Sequence, residues 1–341
     1  MANFITPIPE YAFPHELDRI IISSTNKCTF EFFSANGVEM ILSLTPDANG
    51  QIIIEDFAQV LRDVTAESAG VMCEIYLEEE GAGESSAAEF YVRACRQDLN
   101  TTAEEFCNKH FFSLVKGPKP TYLGAEELLF ASNINKATAT LIWVNPKTGD
   151  VKETTQNQPL SGDNLSARIN VSPSIFASPG AEYKLHSYQV IADGRKAEFK
   201  VQSCVDATPL SLRFRNAFGY METFHCFGNT LTELKPTRSS ASFHGKTRNY
   251  RVLAIPETTA HTGVISPELF DLFADLCAAT SVFVLPSNRE VCITDCDFKL
   301  SNDLYEPQQA TITWRESARA ALHEPLDSVR TFDKSFDNTF Y

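Results

Sequence analysis

The chain has 341 residues and 43% hydrophobic residues, which is enough for two or three domains with buried cores. Its formal net charge of -15 argues against nucleic acid as a partner, because phosphate contacts need clustered lysine and arginine. Residues 1–18 carry prolines and acids where a signal peptide needs a basic start and an apolar run, and no stretch approaches the ~20 apolar residues of a membrane span. The sequence therefore predicts synthesis in the cytoplasm without membrane insertion.

The negative charge is concentrated at the N-terminal end. Residues 1–116 hold 7 basic and 19 acidic residues, a net of -12, whereas residues 117–206 hold 9 of each and residues 207–341 hold 13 and 16. Such a segment repels copies of itself or faces a basic partner. The alternative interpretation is that the acids solvate its surface.

Residues 1–116 show the pattern of a small β-sandwich. Asn49-Gly50 is a strong hairpin signal, and apolar residues that recur at 57, 60, 61 and 64 predict a short helix. A charged, Gly/Ser-rich stretch at residues 78–89 predicts a loop. Strands are predicted at 19–23, 29–33, 39–44, 52–54, 70–77 and 89–95.

Residues 116–120, with two prolines and a glycine, predict a linker, because prolines interrupt a sheet. A second all-β module is expected over residues 117–206, and a break near residues 206–209 closes it. Its predicted strands are 127–131, 139–144, 167–171 and 183–192.

Residues 207–341 predict an α+β module. Ser266 is a natural N-cap and Pro267 a natural first residue of a helix over residues 266–279, whose apolar residues form one stripe. Residues 323–341 are expected to form a polar tail. Strands are predicted at 210–215, 220–227, 281–285, 290–294, 297–300 and 310–315. The fold class is thus mainly β and multi-domain, with β-sandwich-like N-terminal and middle modules and an α+β C-terminal module.

The stretch LRFRNAFGYMETFHCFG (residues 212–228) combines alternating strands with a turn at residues 216–219. It resembles a hairpin of phage and prophage proteins of Bacteroidetes that look like tail or virion components. Residues 44–63, 266–286 and 291–317 are similar to further parts of the same group. The resemblance implies a structural protein, incorporated in a virion, whose partners are copies of itself or other tail-like proteins, with no cofactor and no catalytic residues.

Cys226 beside His225 suggests a thiol nucleophile, with His244 or His261 as its base. Neighbours along a strand point to opposite faces, and no nucleophile signature surrounds any cysteine. The favoured interpretation is a core thiol and a surface imidazole. A cysteine hydrolase is kept as the third functional hypothesis, behind a glycan-binding or adhesive β-sandwich protein.

Two cysteine groupings and one carboxylate group raise the question of a metal. The Cys107/His110 and Cys292/Cys296 pairs lack the spacing of paired zinc knuckles, and the two cysteines at 292 and 296 are expected to face the core. Asp295 and Asp297 lack a calcium-loop pattern and predict a solvated sheet face. The sequence therefore predicts no metal site.

One basic run remains as the candidate interaction surface. Five basic residues fall between Glu233 and Glu257 with no acid among them. They either contact an acidic partner, including the N-terminal module of a neighbouring copy, or form an exposed ribbon whose charges protect an edge strand from pairing. These residues are Lys235, Arg238, Lys246, Arg248 and Arg251.

Overall fold

The structure is a computed structural model that describes residues 2–35, 37–81, 85–163, 165–203, 208–298 and 308–317. It is mainly β, with 52% strand and 12% helix, and its strands form several sheets, as the sequence predicts. None of the helices in these ranges is long and apolar enough to cross a membrane. The expected polar tail, residues 323–341, lies outside the described residues.

The N-terminal residues form two sheets that enclose one helix. Phe30 and Phe32 of the larger sheet meet Phe57 of the helix edge to face, with ring centroids 5.9 and 5.1 Å apart. These are among the largest fully buried side chains, and such pairs stabilise beyond their buried area. The smaller sheet contains β1 (Asn3–Phe4), β3 (Ile20–Ser23) and β6 (Gln51–Ile54), the larger one β2 (Tyr11–Ala12), β4 (Cys28–Ser34), β5 (Gly37–Leu44), β7 (Gly70–Glu79) and β8 (Ser85–Arg93), and the helix is α1 (Phe57–Thr65).

The sequence predicts a loop over residues 78–89, and this prediction is wrong at both ends, where the structure has strands. Strand β7 continues to Glu79 and β8 begins at Ser85, and Glu78 pairs with Ser85 across the two strands. The alternation of buried and exposed residues extends through these positions, so pattern and not composition decides the structure.

The middle residues form a five-stranded and a three-stranded sheet around a second core, centred on Leu141, Ile169 and Val190. Helix α2 (Ala103–Lys109) precedes them. The five-stranded sheet has the order β12 (Val151–Gln158), β11 (Ala137–Val144), β15 (Lys184–Ala192), β16 (Arg195–Val201) and β9 (Lys119–Thr121), and the three-stranded sheet β10 (Leu128–Ala131), β14 (Ala167–Asn170) and β13 (Leu160–Gly162).

The predicted linker at residues 116–120 is in part a strand. Lys119 and Pro120 begin β9, which pairs in parallel with β16 at the edge of the five-stranded sheet. Proline is tolerated at an edge because its missing N–H has no ladder partner there. The expected break at residues 206–209 lies partly outside the described residues.

The C-terminal residues form one seven-stranded sheet covered by a helix. Ser266 caps the start, where its Oγ accepts from the N–H of Glu268, and Pro267–Leu269 forms a single 3-10 turn before α3 (Phe270–Cys277). The strands predicted at 290–294 and 297–300 are one strand with a bulge between Ile293 and Asp295. The sheet order is β18 (Met221–Cys226), β17 (Leu210–Arg215), β21 (Val282–Leu285), β22 (Arg289–Phe298), β23 (Gln309–Glu316), β20 (Lys246–Val264) and β19 (Thr230–Phe243).

A fourth hydrophobic cluster joins these three parts of the chain. Phe218, from the β17–β18 turn, stacks on Phe106 of α2 at 4.8 Å, and Phe112 stacks on Tyr220 at 5.1 Å. The guanidinium of Arg93, which is 2% exposed, lies 4.8 Å from the Phe112 ring and donates through Nη2 to the carbonyl of Leu165 at 3.0 Å. The hairpin formed by β17 and β18 therefore packs between the three parts of the chain.

Gly219 tests this junction. It has φ +79°, and a Cβ there would lie 2.4 Å from the carbonyl oxygen of Ser68, in the N-terminal part of the chain. We expect Gly219→Ala to lower the free energy of unfolding by ~2–4 kcal/mol, from backbone strain and overpacking together. The matched control is Gly149→Ala, because Gly149 has φ +78° but nothing within 4 Å, and it should cost only ~1–2 kcal/mol. Denaturant unfolding measures both, and equal losses would show that the hairpin turn is not packed on Ser68.

Candidate functional site

A long β-hairpin leaves the edge of the seven-stranded sheet. Strands β19 and β20 pair from Thr230 opposite Ala260 to Phe243 opposite Lys246. Strand β23 supports β20 only from Thr258 to Val264, so the hairpin continues beyond the sheet as a two-stranded ribbon. We call residues 231–257 the arm. Its outer part, eleven residues of β19 from Glu233 to Phe243, spans ~35 Å at ~3.3 Å per residue.

The arm is open to solvent. Among the side chains that the structure describes between Leu231 and Asn249, all are exposed except the intermediate Ser239. Leu231 and Leu234 are 57% and 60% exposed. Among the described side chains of the arm as far as Asn249, none is buried by the rest of the chain.

All five residues of the predicted interaction surface lie on the two strands of the arm. Arg238 and Lys246 have exposed side chains. In the strand register Arg238 lies opposite Val252 and Lys246 opposite Phe243, with Arg248 opposite Ala241. The structure thus brings the basic run together on a single hairpin, and the backbone register also places Lys235 opposite Ile255 and Arg251 opposite Ser239.

A second polar feature lies inside the molecule, where the middle and C-terminal parts meet. Nζ of Lys119 donates to Oε2 of Glu127 at 3.0 Å and lies 3.6 Å from Oε1 of Glu222. Nε2 of His225 lies 2.8 Å from Oε1 of Glu127. These four side chains are at most 7% exposed. We call them the buried charge network.

Neutral partners complete the network. Ser113 Oγ and Asn216 Nδ2 donate to the two oxygens of Glu222, at 2.7 and 2.9 Å. Ser211 Oγ lies 2.8 Å from Nδ1 of His225, and the N–H of Glu127 donates to Ser172 Oγ at 3.0 Å. Buried charges persist only when they are paired and hydrogen-bonded in this way.

The network keeps its central pair ionised. Burial lowers the pKa of Lys119, but the carboxylates of Glu127 and Glu222 outweigh burial and leave that pKa above its ordinary value. Burial raises the pKa of Glu127, but Lys119 and His225 outweigh it and hold that pKa below its ordinary value. Lys119 and Glu127 belong to the middle module and meet Glu222 and His225 of the C-terminal module, so the network bridges the contact between the two.

Ser211, His225 and Glu127 form a hydrogen-bonded chain like that of a nucleophilic triad. All three are at most 3% exposed, so a substrate cannot reach the Ser211 hydroxyl in this conformation. The expected surface imidazole of His225 is wrong, because both faces of β18 are covered and its residues from Glu222 to Cys226 are all buried. The chain of residues has a structural role in the network.

The Cys226 thiol is fully buried, and burial raises its pKa to about 12. A thiol with this pKa is protonated at neutral pH, and the thiolate is the nucleophile. His244, at the tip of the arm, and His261, on β20 below the arm, are exposed. Burial and a raised pKa therefore disfavour Cys226 as a nucleophile.

Cys292 and Cys296, which form a pair in the sequence, have different surroundings in the structure. Cys296 forms a disulfide with Cys277 of α3. The bulge in β22 leaves Cys292 exposed, so the expectation that both cysteines face the core is wrong for Cys292. Asp295 and Asp297 are exposed, and in the described part of the chain no three histidine, cysteine or acidic side chains are placed to hold a metal.

No family model matches the chain, and no curated protein matches it.

Replacing Lys119 tests the buried charge network. Lys119→Met leaves the Glu127 and Glu222 carboxylates without their cation, and we expect it to cost ~3–5 kcal/mol in the free energy of unfolding. The control is Lys196→Met, since Lys196 forms an exposed pair with Glu198 and should cost less than ~1 kcal/mol. Chemical denaturation compares the two, and a Lys119 variant as stable as the control would contradict the network's role.

Thiol alkylation tests the two cysteine assignments. Cys292 is exposed and Cys226 is fully buried, so a neutral alkylating reagent applied to the native protein should modify Cys292 first and leave Cys226 unmodified. Mass mapping of peptides reads out both sites, and the Cys292→Ser variant controls for labelling elsewhere. Modification of Cys226 at the rate of Cys292 would show that the β18 core is open.

Proposed function

We propose that the protein is a non-enzymatic assembly component of a phage or prophage tail-like particle, and that it docks to neighbouring subunits through the arm. The observation that carries the proposal is the arm itself, a basic two-stranded ribbon that extends beyond the edge of the seven-stranded sheet. The resemblance of residues 212–228 and three further segments to tail-like proteins supports the same function.

The energetics of the arm support a partner. A lone two-stranded hairpin is marginally stable in water, because it has little apolar surface to bury. The arm also exposes Leu231 and Leu234, which its own chain leaves uncovered. Contact of one face of the arm with another subunit would bury apolar surface that is exposed in the single chain.

The base of the arm is suited to transmit a docking contact. Ala260 and Ile312, on the adjacent strands β20 and β23, are fully buried, and the hydroxyls of Thr259 and Thr313 lie 2.9 Å apart. The arm is thus a continuation of strands that are fixed in the sheet. Rigid elements lose less conformational entropy on binding than flexible loops do.

The other two functional hypotheses receive less support. The buried thiol of Cys226 disfavours a hydrolase that uses it. A glycan-binding face needs exposed aromatic platforms, and among the side chains that the structure describes Tyr76 is the one aromatic that is well exposed, at 38%. Its hydroxyl is already bonded to Glu74.

Shortening the arm tests the proposal. Residues 239–251 are replaced by Asn-Gly, which joins Arg238 directly to its partner Val252 through a favoured two-residue turn. We expect the wild type to sediment as an oligomer whose size rises with concentration, and the shortened variant to sediment as a monomer with an unchanged circular dichroism spectrum.

The matched control shortens a different hairpin. Replacing residues 145–150 by Asn-Gly joins Val144 to its partner Val151 in the middle module and should leave assembly intact. A wild type that remains monomeric at every concentration, or a shortened variant that assembles as the wild type does, would overturn the proposed function.

A further inference from the structure

The outer face of the larger N-terminal sheet is acidic. Along β4, β7 and β8 the residues that alternate with the core include Glu31, Glu74, Glu78 and Glu89. Their exposed strand neighbours include no lysine or arginine in the described strands β4, β5, β7 and β8, since Arg93 at the end of β8 is buried. We call these four glutamates, with Ile41, Met72 and Tyr76, the glutamate face.

The glutamates are placed against one another. Glu74 lies directly opposite Glu89 in the register of β7 and β8, and Glu31 lies opposite Tyr76. Like charges opposite one another destabilise a sheet. The Tyr76 hydroxyl donates to Glu74 Oε2 at 2.7 Å, and the nearby carboxylates of Glu74 and Glu89 contribute to a raised Tyr76 pKa. This face therefore carries an electrostatic cost within the single chain.

Apolar side chains are exposed among the glutamates. Ile41 is 59% exposed, Met72 41% and Tyr76 38%. Solvation alone explains acids on a surface, but it does not explain large apolar side chains between them. Apolar, Met and aromatic side chains within a charged surround are typical of a docking surface.

We propose that the glutamate face receives the arm of a second copy of this chain. The inference rests on the proposed function and adds the partner and its surface. The arm carries five basic residues with no acid between Glu233 and Glu257, and the N-terminal segment has a net charge of -12. Complementary charge steers association and relieves the repulsion between glutamates. Leu231 and Leu234, three residues apart on β19, point to opposite faces of the ribbon, so one of them meets the exposed apolar side chains.

The width of the glutamate face is compatible with the width and length of the arm. The strands β5, β4, β7 and β8 lie side by side, and three spacings of ~4.8 Å make the face ~15 Å wide. A two-stranded ribbon has a single spacing of that size, so it fits across the face with room for its side chains. The arm's outer part, ~35 Å long, is long enough to cross it.

The contact joins two different surfaces. Each copy offers one arm and one glutamate face, so a pair formed in this way still has a free arm and a free face. Such heterologous contacts continue from copy to copy and end as a closed ring or an open filament. The inference therefore predicts a ring or a filament built from one subunit.

A charge exchange between the two surfaces tests the inference in the full-length protein. The face variant carries Glu74→Lys and Glu89→Lys, and the arm variant carries Lys246→Glu and Arg248→Glu, two residues apart on β20. Analytical ultracentrifugation should show that each variant alone associates at least ~10-fold more weakly than the wild type at low salt.

An equimolar mixture of the two variants should restore assembly, because each reversed surface then finds a complementary partner. The control carries Glu55→Lys and Asp63→Lys, which are exposed, make the same charge change and lie away from the face. It should assemble as the wild type does. Circular dichroism confirms that all variants are folded.

The outcomes separate the inference from the proposed function. If the shortened arm abolishes assembly while the face variant assembles like its control, the arm docks elsewhere and the inference is overturned alone. If both variants are monomeric and their mixture stays monomeric, the two surfaces do not meet, and the inference is also overturned. A monomeric wild type overturns the proposed function and with it the inference.

Discussion

The contact of the Lys119–Glu127 pair with Glu222 and His225 is the interaction on which the arrangement of the middle and C-terminal modules depends. Its two members lie in the middle part of the chain, and Glu222 and His225, which bind them, lie on or beside β18 of the C-terminal sheet. Because separating the modules would leave buried charges without partners, the network fixes their relative orientation. On the other side Arg96 reaches from the N-terminal part to Asp275 of α3 at 2.7 Å. Ion pairs therefore connect all three parts of the chain.

A fixed orientation matters for the proposed assembly. The arm is an extension of the C-terminal sheet, while the glutamate face belongs to the N-terminal sheet, so in that assembly the angle between them would set how one copy follows the next. Flexible modules would produce irregular chains of subunits, whereas fixed modules produce a defined ring or filament. The buried charge network and the aromatic junction around Phe106 and Phe218 would supply that rigidity.

The sequence predicts most of the strands because alternation and turn chemistry are local. It predicts α1 from apolar spacing, which the structure confirms, and a helix that begins after Ser266, where the structure has a 3-10 turn before α3 begins at Phe270. It misses α2, although Thr102 followed by Glu105 is a capping signal and the Thr102 side chain accepts from the Glu105 N–H. The long strands of the arm were obscured by Pro236 and Pro256, which a two-stranded ribbon tolerates because each strand has a free edge.

The site is less predictable than the fold. The five basic residues of the arm are visible as a run in the sequence, but the members of the buried charge network lie up to 106 residues apart, as Lys119 and His225 do, and no local pattern links them. Lys119 stands between two prolines, a pattern typical of a linker, and alternation along the strand predicts a surface imidazole for His225. Burial on both faces of β18 depends on long-range packing, which alternation alone does not reveal.

An electron cryomicroscopy structure of the assembled protein would show directly whether the arm of one copy lies on the glutamate face of the next. We expect a ring or filament in which β19 and β20 of each copy lie across β4, β7 and β8 of the next, with Lys246 and Arg248 near Glu74 and Glu89. An assembly whose arms extend into solvent, or whose glutamate faces remain uncovered, would contradict it.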